Sequence, residues 1–545
     1  MTENDCVLDA RKPVLHSVRR KRNATDELVR VKLPADHRNP VLFGGGAPRP
    51  YRHRHASALQ KIRLLGLRAS LDDLMPHGYA ARHTGVGEMN DGMNRRSFIG
   101  SLGVAATAGT GAYVAAPRAS AAVPKPKGKI PATPFKVGHM TFQSGPGAAL
   151  GAPALKGHTL AADEINGEGG FLGVRKIVTI TADEAAGVDG NVKELRRMKL
   201  AEGIDWFTGV ISAGDTVALA PVAEELEIPT IFTDGCTDHL FDVVVKKPKY
   251  VFRVTNILSS DAVSCMLAAS KTWPNLKRIA HIHPDYNFGR VQFVHSKIAA
   301  EKLYPGSEVV SESWPKLFSG DYTPHITKAM ASKPDLLVTS LWGGDYVAFY
   351  KQAVRLGMYD NMKVIANIGF GIEPGALGKD HPEGILAGAH ANYHFTYPPG
   401  NEWPLNKQFV ERYHKRWNEY PNYAAEGAYT TVYLLKHAIE KANDLLGAWP
   451  EPGQIISMLE GMVMATPAGY LYIRPQDHSG FKPTVVGFSK NVAEYPFPIW
   501  DPDRIIVQDV RNVSAPPDWP KPGEGHDDPS ATYNWIKTTW PTRAI

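Results

Sequence analysis

From residue 135 onward the chain alternates between two hydrophobic rhythms. Short apolar runs at 135–141, 177–181, 206–211 and 228–232 read as strands. Between the first two, apolar residues recur near a 3.6 period, at Leu155, Leu160, Ala161, Ala162 and Ile165. That stripe predicts a helix. It stops at Asn166-Gly167 and Gly169-Gly170, where glycine can adopt the left-handed conformation that ends a helix. Further helices are predicted over 192–201 and 217–226. Strands alternating with helices of this size imply βαβ units and a parallel sheet. Ligands of such sheets bind beyond the carboxyl ends of the strands. The loops of interest are therefore 142–151, 212–216 and 233–238.

The same rhythm restarts after Arg253-Val254-Thr255. A helix is expected over 260–271 and a strand over 278–283, which ends in Pro284-Asp285-Tyr286-Asn287-Phe288-Gly289. A helix to about residue 303 follows. A strand over 335–340 leads to Trp342-Gly343-Gly344 and a helix over 346–356, and a strand over 364–366 ends at Asn367-Ile368-Gly369. Helices at 403–418 and 426–442 are expected to pack back on the first lobe. The fold class is thus α/β, with two doubly wound parallel-sheet lobes joined by a multi-crossing hinge. The first lobe is expected over 135–255 plus 388–465 and the second over 256–387 plus 466–490. Residues 491–545, rich in Pro, Trp and Asp, read as an irregular C-terminal extension, lying over the surface or forming a partly ordered tail.

Charge changes how the first 134 residues are read. The net charge is +6, but residues 1–121 hold 19 of the 61 Lys and Arg and only 10 of the 55 Asp and Glu. The remainder is slightly acidic, which gives no electrostatic reason to expect nucleic acid as a partner. Within the basic head, Arg95-Arg96-Ser97-Phe98 precedes a mildly apolar stretch (99–116) and the small-residue run Ala119-Ser120-Ala121. This pattern at 93–121 resembles a twin-arginine export signal. The stretch is rich in Gly, Ala and Thr, so it would anchor poorly in a bilayer. Residues 1–92 precede the signal and read as a disordered or non-native upstream head, translation then starting at Met93. Residues 122–134, with Pro and Lys, read as a linker. An extracytoplasmic destination follows from the signal.

Three pieces of the first lobe, taken in order, carry a family resemblance. The segment from Gly157 to Ala162 runs on through Glu164-Ile165-Asn166 to Gly169-Gly170 and Gly173. Asp183-Glu184 follows, and then Ser212-Ala213-Gly214-Asp215-Thr216 with Ile228-Pro229. With the Tyr286/Phe288-Gly289 helix start of the second lobe, they resemble the Leu/Ile/Val-type, type I periplasmic binding proteins of ABC transporters over about 134–490. The resemblance implies an exported protein that captures a small organic solute between two lobes and delivers it to an ABC permease in the inner membrane. It implies no cofactor and no bound metal. A monomer is expected, because a closing clamp presents one face of each lobe to its permease.

Candidate ligand-binding residues follow from loop position and from the resemblance. Ser144, Ser212, Ala213, Gly214 and Asp215 come from the first two loops. Asp234, Gly235, Cys236 and Thr237 come from the third. Backbone N–H groups at helix starts there can hold a carboxylate. Phe288 and Trp342 are expected to close down from the second lobe, with Asn367 and Ile368 beside them. Ser212–Thr216 has an alternative role, in which Asp215 or Thr216 caps the following helix. Relatives that bind aliphatic α-amino acids present an acid where Asn367-Ile368 stands. Its absence, with Trp342, Phe288 and Phe370 nearby, points to an apolar or aromatic body carrying a carboxylate or amide. Asp215 or Asp234 could substitute for the acid from the first lobe.

Other classes are weaker. No Gly-x-Ser-x-Gly elbow, Walker loop or dinucleotide fingerprint stands at a strand end. His281 and His283 share a strand face near Asp285, too few ligands for a metal site. Cys236 as a nucleophile lacks a base identifiable in the sequence. Cys236 and Cys265 are the only thiols beyond the signal, and their pairing is left open. A ligand-sensing receptor domain with the same fold is the remaining alternative to transport.

Overall fold

A computed structural model describes residues 125–370, 376–390, 403–517, 519 and 530–540. The expected upstream head, the signal at 93–121 and residues 122–124 of the linker lie outside the described residues.

Two parallel sheets dominate. The first contains β1 (Phe135–Thr141), β2 (Ile177–Asp183), β3 (Trp206–Gly209), β4 (Thr230–Phe232) and β5 (Val251–Arg253), in the order β2-β1-β3-β4-β5. Its crossovers include α1 (Ala148–Gly167), α2 (Val188–Arg197) and α3 (Ala213–Glu225). β1 is central and buried at every residue except the half-buried Lys136, as expected of a strand covered on both faces.

After α4 (Leu258–Thr272) the second sheet begins with β6 (Arg278–Ile282), α5 (Asn287–Leu303) and β7 (Glu308–Ser313). It continues with α6 (Thr323–Ala331), β8 (Leu336–Thr339), α7 (Gly343–Arg355) and α8 (Met358–Asn361). β9 (Lys363–Ala366) and β10 (Leu386–Ala389) complete its parallel part. Pattern reading did not single out β7 or α6. β7 is an edge strand whose exposed Glu308 and Glu312 blur its apolar rhythm.

The chain then returns to the first sheet. α9 (Pro404–Trp417), α10 (Tyr423–Leu446) and α11 (Pro452–Leu459) bury Phe409, Tyr413, Leu435, Ile439 and Leu459 in the same core as Val137, Trp206 and Phe252. α1 and α10 approach so closely that a Cβ on Gly157 would collide with the Ala425 carbonyl, which is why glycine stands there. A small antiparallel sheet of β11 (Val463–Thr466), β12 (Gly469–Ile473) and β13 (Gly480–Phe481) follows. β14 (Thr484–Lys490) then crosses back and pairs antiparallel with β10. β15 (Ile499–Trp500), β16 (Ile506–Gln508) and α12 (Ala531–Thr538) end the described chain.

Three boundaries differ from those read in the sequence. The return crossing does not begin at 388: Leu386–Ala389 is a fully buried strand of the second sheet between β9 and β14, so the chain leaves that sheet after β10. Residues 466–473 do not join the second lobe, because Leu471 and Ile473 pack with Leu459 and Met462 in the first core. The C-terminal extension is not simply irregular. Val510, Val513, Trp535, Ile536 and Trp540 are buried in the second core with Ala300 and Tyr304. Large aromatic surfaces of this kind are stabilised by leaving water.

The passages between the sheets are bound together. Arg253 at the end of β5 bridges to Ser479 beside β13. Its guanidinium donates to the carbonyls of Thr237 (2.8 Å) and Thr255 (3.2 Å) and to Ser479 Oγ (3.2 Å). Lys482, on the last passage, pairs with Glu426 of α10 at 2.6 Å, both side chains fully buried. The Lys482 amide donates to Asn256 Oδ1 at 2.8 Å.

Candidate ligand-binding cleft

The carboxyl ends of strands from both sheets meet around one small cavity of about 10 Å3. Ile211 and Ala213 reach it after β3, and Asp234, Gly235 and Cys236 after β4. Tyr286 and Phe288 follow β6, Trp342 follows β8, Ile368 follows β9, and His390 follows β10. Tyr423 enters from the start of α10. A cavity of this size holds about one water-sized group. The lobes are therefore closed. Pro146 O of the first lobe accepts from the Gly344 amide at 3.2 Å, and Phe142 lies 6.2 Å, centroid to centroid, from Trp342.

The residues expected at the site divide into lining and supporting groups. Ala213, Asp234, Gly235, Cys236, Phe288, Trp342 and Ile368 line the cavity. Ser144 does not: it is exposed, and its hydroxyl donates to Asp183 Oδ2 at 2.6 Å on the rim. Ser212 is itself the N-cap of α3, accepting from the Gly214 amide at 3.2 Å, so the cap is neither Asp215 nor Thr216. The helix accordingly starts at Ala213, four residues earlier than its apolar pattern suggests. Asp215 is buried and accepts from Asn191 Nδ2 at 2.9 Å, which removes it as a substitute acid. Burial pushes its pKa up. Thr237 bridges the lobes, donating to Asn287 Oδ1 at the start of α5 at 2.7 Å. Asn367 faces away from the cavity and donates to Gln292 Oε1 at 2.7 Å.

Backbone geometry explains two of these positions. Gly235 has φ of +60°, and a Cβ there would collide with Thr216 Oγ1. Only glycine lets the loop after β4 turn so tightly against α3. Glu184, buried after β2, accepts from the amides of Ile211 (2.8 Å) and Ser212 (2.7 Å) and fixes the loop after β3. Burial, with Asp215 nearby, raises its pKa well above the usual carboxylate range.

One wall is aromatic. Trp342 Nε1 donates to the Tyr286 hydroxyl at 3.0 Å, and the Tyr286 and Phe288 rings lie 5.9 Å apart, nearly parallel. The opposite floor is polar. His390 Nδ1 lies 2.5 Å from Asp261 Oδ2, and Cys236 Sγ lies 3.4 Å from each His390 ring nitrogen. Burial disfavours charge on His390, but Cys236 and Asp261 outweigh it and raise its pKa above the ordinary value. Burial pushes the Cys236 thiol up to about 12. Burial raises Asp234 to about 6, against the lowering effect of His390, the Tyr423 hydroxyl and the Gly235 amide.

Sequence reasoning missed Ile211, Tyr286, His390 and Tyr423. Tyr286 stood two residues from Phe288 in the same motif. His390 was findable from the rule that strand ends carry sites, had β10 been recognised as a strand. Tyr423 gave no local signal, since it is the first residue of a helix packed on the other lobe. The base that Cys236 appeared to lack is adjacent to it as His390. Cys236 and Cys265 are both free and buried. His281 and His283 bond to one another at 3.0 Å inside the second lobe.

Two α/β lobes, crossed repeatedly by the chain and closing on a cavity at their strand ends, define a solute-binding clamp. The periplasmic binding protein family model matches residues 134–487, and the chain belongs to that family, in its Leu/Ile/Val-binding type. The Leu/Ile/Val-binding protein homolog 7 of Brucella abortus is 25% identical over 396 residues, covering 69% of this chain and 94% of the relative. A solute-binding protein of an ABC transporter from Rhodopseudomonas palustris BisB5, solved with 3,4-dihydroxybenzoic acid, superposes with a TM-score of 0.60. It is 21% identical, and the match covers 69% of this chain and 98% of that one. A leucine-binding protein from Thermotoga maritima has a TM-score of 0.57 at 20% identity, covering 68% of this chain and 99% of that one. The protein is a solute-binding component of the ABC-importer kind. Proteins of this family bind solutes in the periplasm and work with a permease; they are not enzymes.

Proposed function

We propose that the chain captures an aromatic or similarly apolar solute bearing one carboxylate or amide, and hands it as a monomer to an inner-membrane permease. The observation that carries this reading is the asymmetry of the cleft. Tyr286, Phe288 and Trp342 form an aromatic wall, while the loop after β9 offers Ile368 and no acid; among the lining residues the one acid is Asp234 of the first lobe, whose pKa burial raises to about 6. An ammonium would have Asp234 alone as a charged partner, and only in its ionised form; buried without a partner it costs several kcal/mol. A flat apolar ring against aromatic faces, by contrast, adds stacking to its burial. Polar groups of the solute meet Asp234 and the amides at the start of α3. The closed cavity is too small for such a solute, so the lobes open to admit it and close over it, a hinge motion open to two-lobed binders. The solved structure with 3,4-dihydroxybenzoic acid supports this choice by fold only. Export by the twin-arginine route, with residues 93–121 removed, is part of the same proposal and rests on Arg95-Arg96 and the small-residue run that follows.

A thermal-shift screen of residues 122–545 against benzoates, aromatic amides, branched-chain amino acids and short diacids tests it. A ligand at a hundredfold excess over Kd stabilises by about 2.7 kcal/mol. A shift with aromatic acids or amides and none with leucine or valine is expected. The reverse pattern refutes the reading.

A further inference from the structure

The floor of the cleft holds a constellation that the solute reading does not use. Asp234, Cys236 and His390 each offer one ligand atom, and these atoms lie within 4.8 Å of one another, all three residues buried. Two come from the loop after β4 and one from the end of β10, so both sheets contribute. Asp234 Oδ2 is buried and has no hydrogen-bond partner, although the residue is only 2% exposed. A buried carboxylate oxygen left in that state is costly unless something cationic or protic meets it. Asp261 accepts at 2.5 Å from His390 Nδ1. Such a carboxylate behind an imidazole orients the ring and leaves Nε2 to face a metal ion. The adjoining cavity, about 10 Å3, is too small for an organic solute but matches a single ion or water.

We infer that Asp234, Cys236 and His390 bind one zinc-class divalent cation at the floor of the cleft. Thiolate, imidazole and carboxylate are the donor set of Zn2+ and Co2+ rather than of Mg2+ or Ca2+. Cys236 Sγ now sits 3.4 Å from each ring nitrogen; binding draws it to the Nε2 side as the thiol gives up its proton. The Asp234 carboxylate and the Cys236 thiolate balance the two positive charges of the ion, and the Asp261 carboxylate stays paired with the His390 N–H behind it. Three protein ligands leave a position open towards Tyr286 and Trp342 for water or a solute oxygen. The site shares the cleft of the proposed function and rests on that reading, and there the ion's open position can take a solute carboxylate oxygen: among the described residues no Lys or Arg lines the cavity.

The test is titration of the metal-free protein with Co2+ and, separately, with Zn2+ against a competing chelator. The expected result is one equivalent of tetrahedral Co2+ with a thiolate-to-cobalt charge-transfer band in the near ultraviolet. Cys236→Ser abolishes that band, with thermal unfolding in the absence of metal close to wild type; His390→Gln lowers Zn2+ affinity steeply and, by removing the buried partner of Asp261, also lowers the stability of the metal-free protein. Asp261→Asn, which alters a positioning residue, weakens Zn2+ binding by about 10–100-fold and retains the band. Absence of stoichiometric binding, or binding that survives both Cys236→Ser and His390→Gln, overturns the inference. The protein is screened with benzoates both metal-free and metal-loaded. A thermal shift there without any metal binding removes the ion and keeps the solute; metal binding with no response to any aromatic acid or amide does the opposite.

Discussion

Asp234 is the buried acid that the proposed solute would meet on the floor of the cleft. Its pKa is raised to about 6 by burial, so in the metal-free protein it is largely neutral below pH 6 and ionised above. A neutral Asp234 can donate a hydrogen bond to a solute carboxylate, whereas the ionised form repels it. Affinity of the metal-free protein for an aromatic carboxylate is therefore expected to fall as pH rises through 6. An ammonium solute paired with Asp234 would gain affinity over the same interval. Calorimetric titrations at pH 5 and pH 7.5 read the sign directly. The second decisive residue is Ile368, which lines the cavity where Asn367 does not. Ile368→Asp restores an acid on the second lobe and is expected to confer a thermal response to leucine while weakening the response to benzoates. No gain with leucine would show that the missing acid is not what sets the preference. Residue by residue, the sequence indicated loops better than side chains. It led to Asp234, Cys236, Phe288 and Trp342, which line the cavity because they stand at strand ends. It also led to Ser212 and Asp215, which serve the α3 cap and its support, because a polar residue at a helix start looks the same in either role.

At the scale of elements, the hinge is held by polar groups removed from water. The Lys482–Glu426 pair joins the last passage to α10 with neither side chain exposed. Lys482→Met leaves the Glu426 charge buried and uncompensated, and a loss of about 3–5 kcal/mol is expected. Chemical denaturation measures it, and Lys482→Met combined with Glu426→Leu should recover much of the loss. A loss under 1 kcal/mol for the single variant would contradict the pairing. The alternation of strands and helices was legible wherever the apolar rhythm was strong, as in β1, α1, β6 and β8. It failed where long-range packing decides. Residues 386–389, Leu-Ala-Gly-Ala, are strand only because β9 and β14 flank them. The tail after residue 490 is rich in Pro and Asp, yet its tryptophans are claimed by the second core. Neither partner is local in sequence, so no pattern within a window could reveal them.

At the scale of the whole molecule, the two lobes stand closed on one another. The two lobes touch through Pro146 and Gly344 and through Thr237 and Asn287, and about 10 Å3 is left between them. Binding must then be coupled to opening. The assignment to the periplasmic binding protein family fixes the class of function, and the proposed choice of solute rests on the aromatic residues that line the cavity with Asp234. The measurement that tests this choice most directly is isothermal titration of residues 122–545 with 3,4-dihydroxybenzoate, benzoate and leucine in parallel. Saturable one-to-one binding of an aromatic acid, with a negative heat-capacity change from burial of its ring and no heat from leucine, is the predicted result. Tight binding of leucine with silence from both aromatic acids would contradict it.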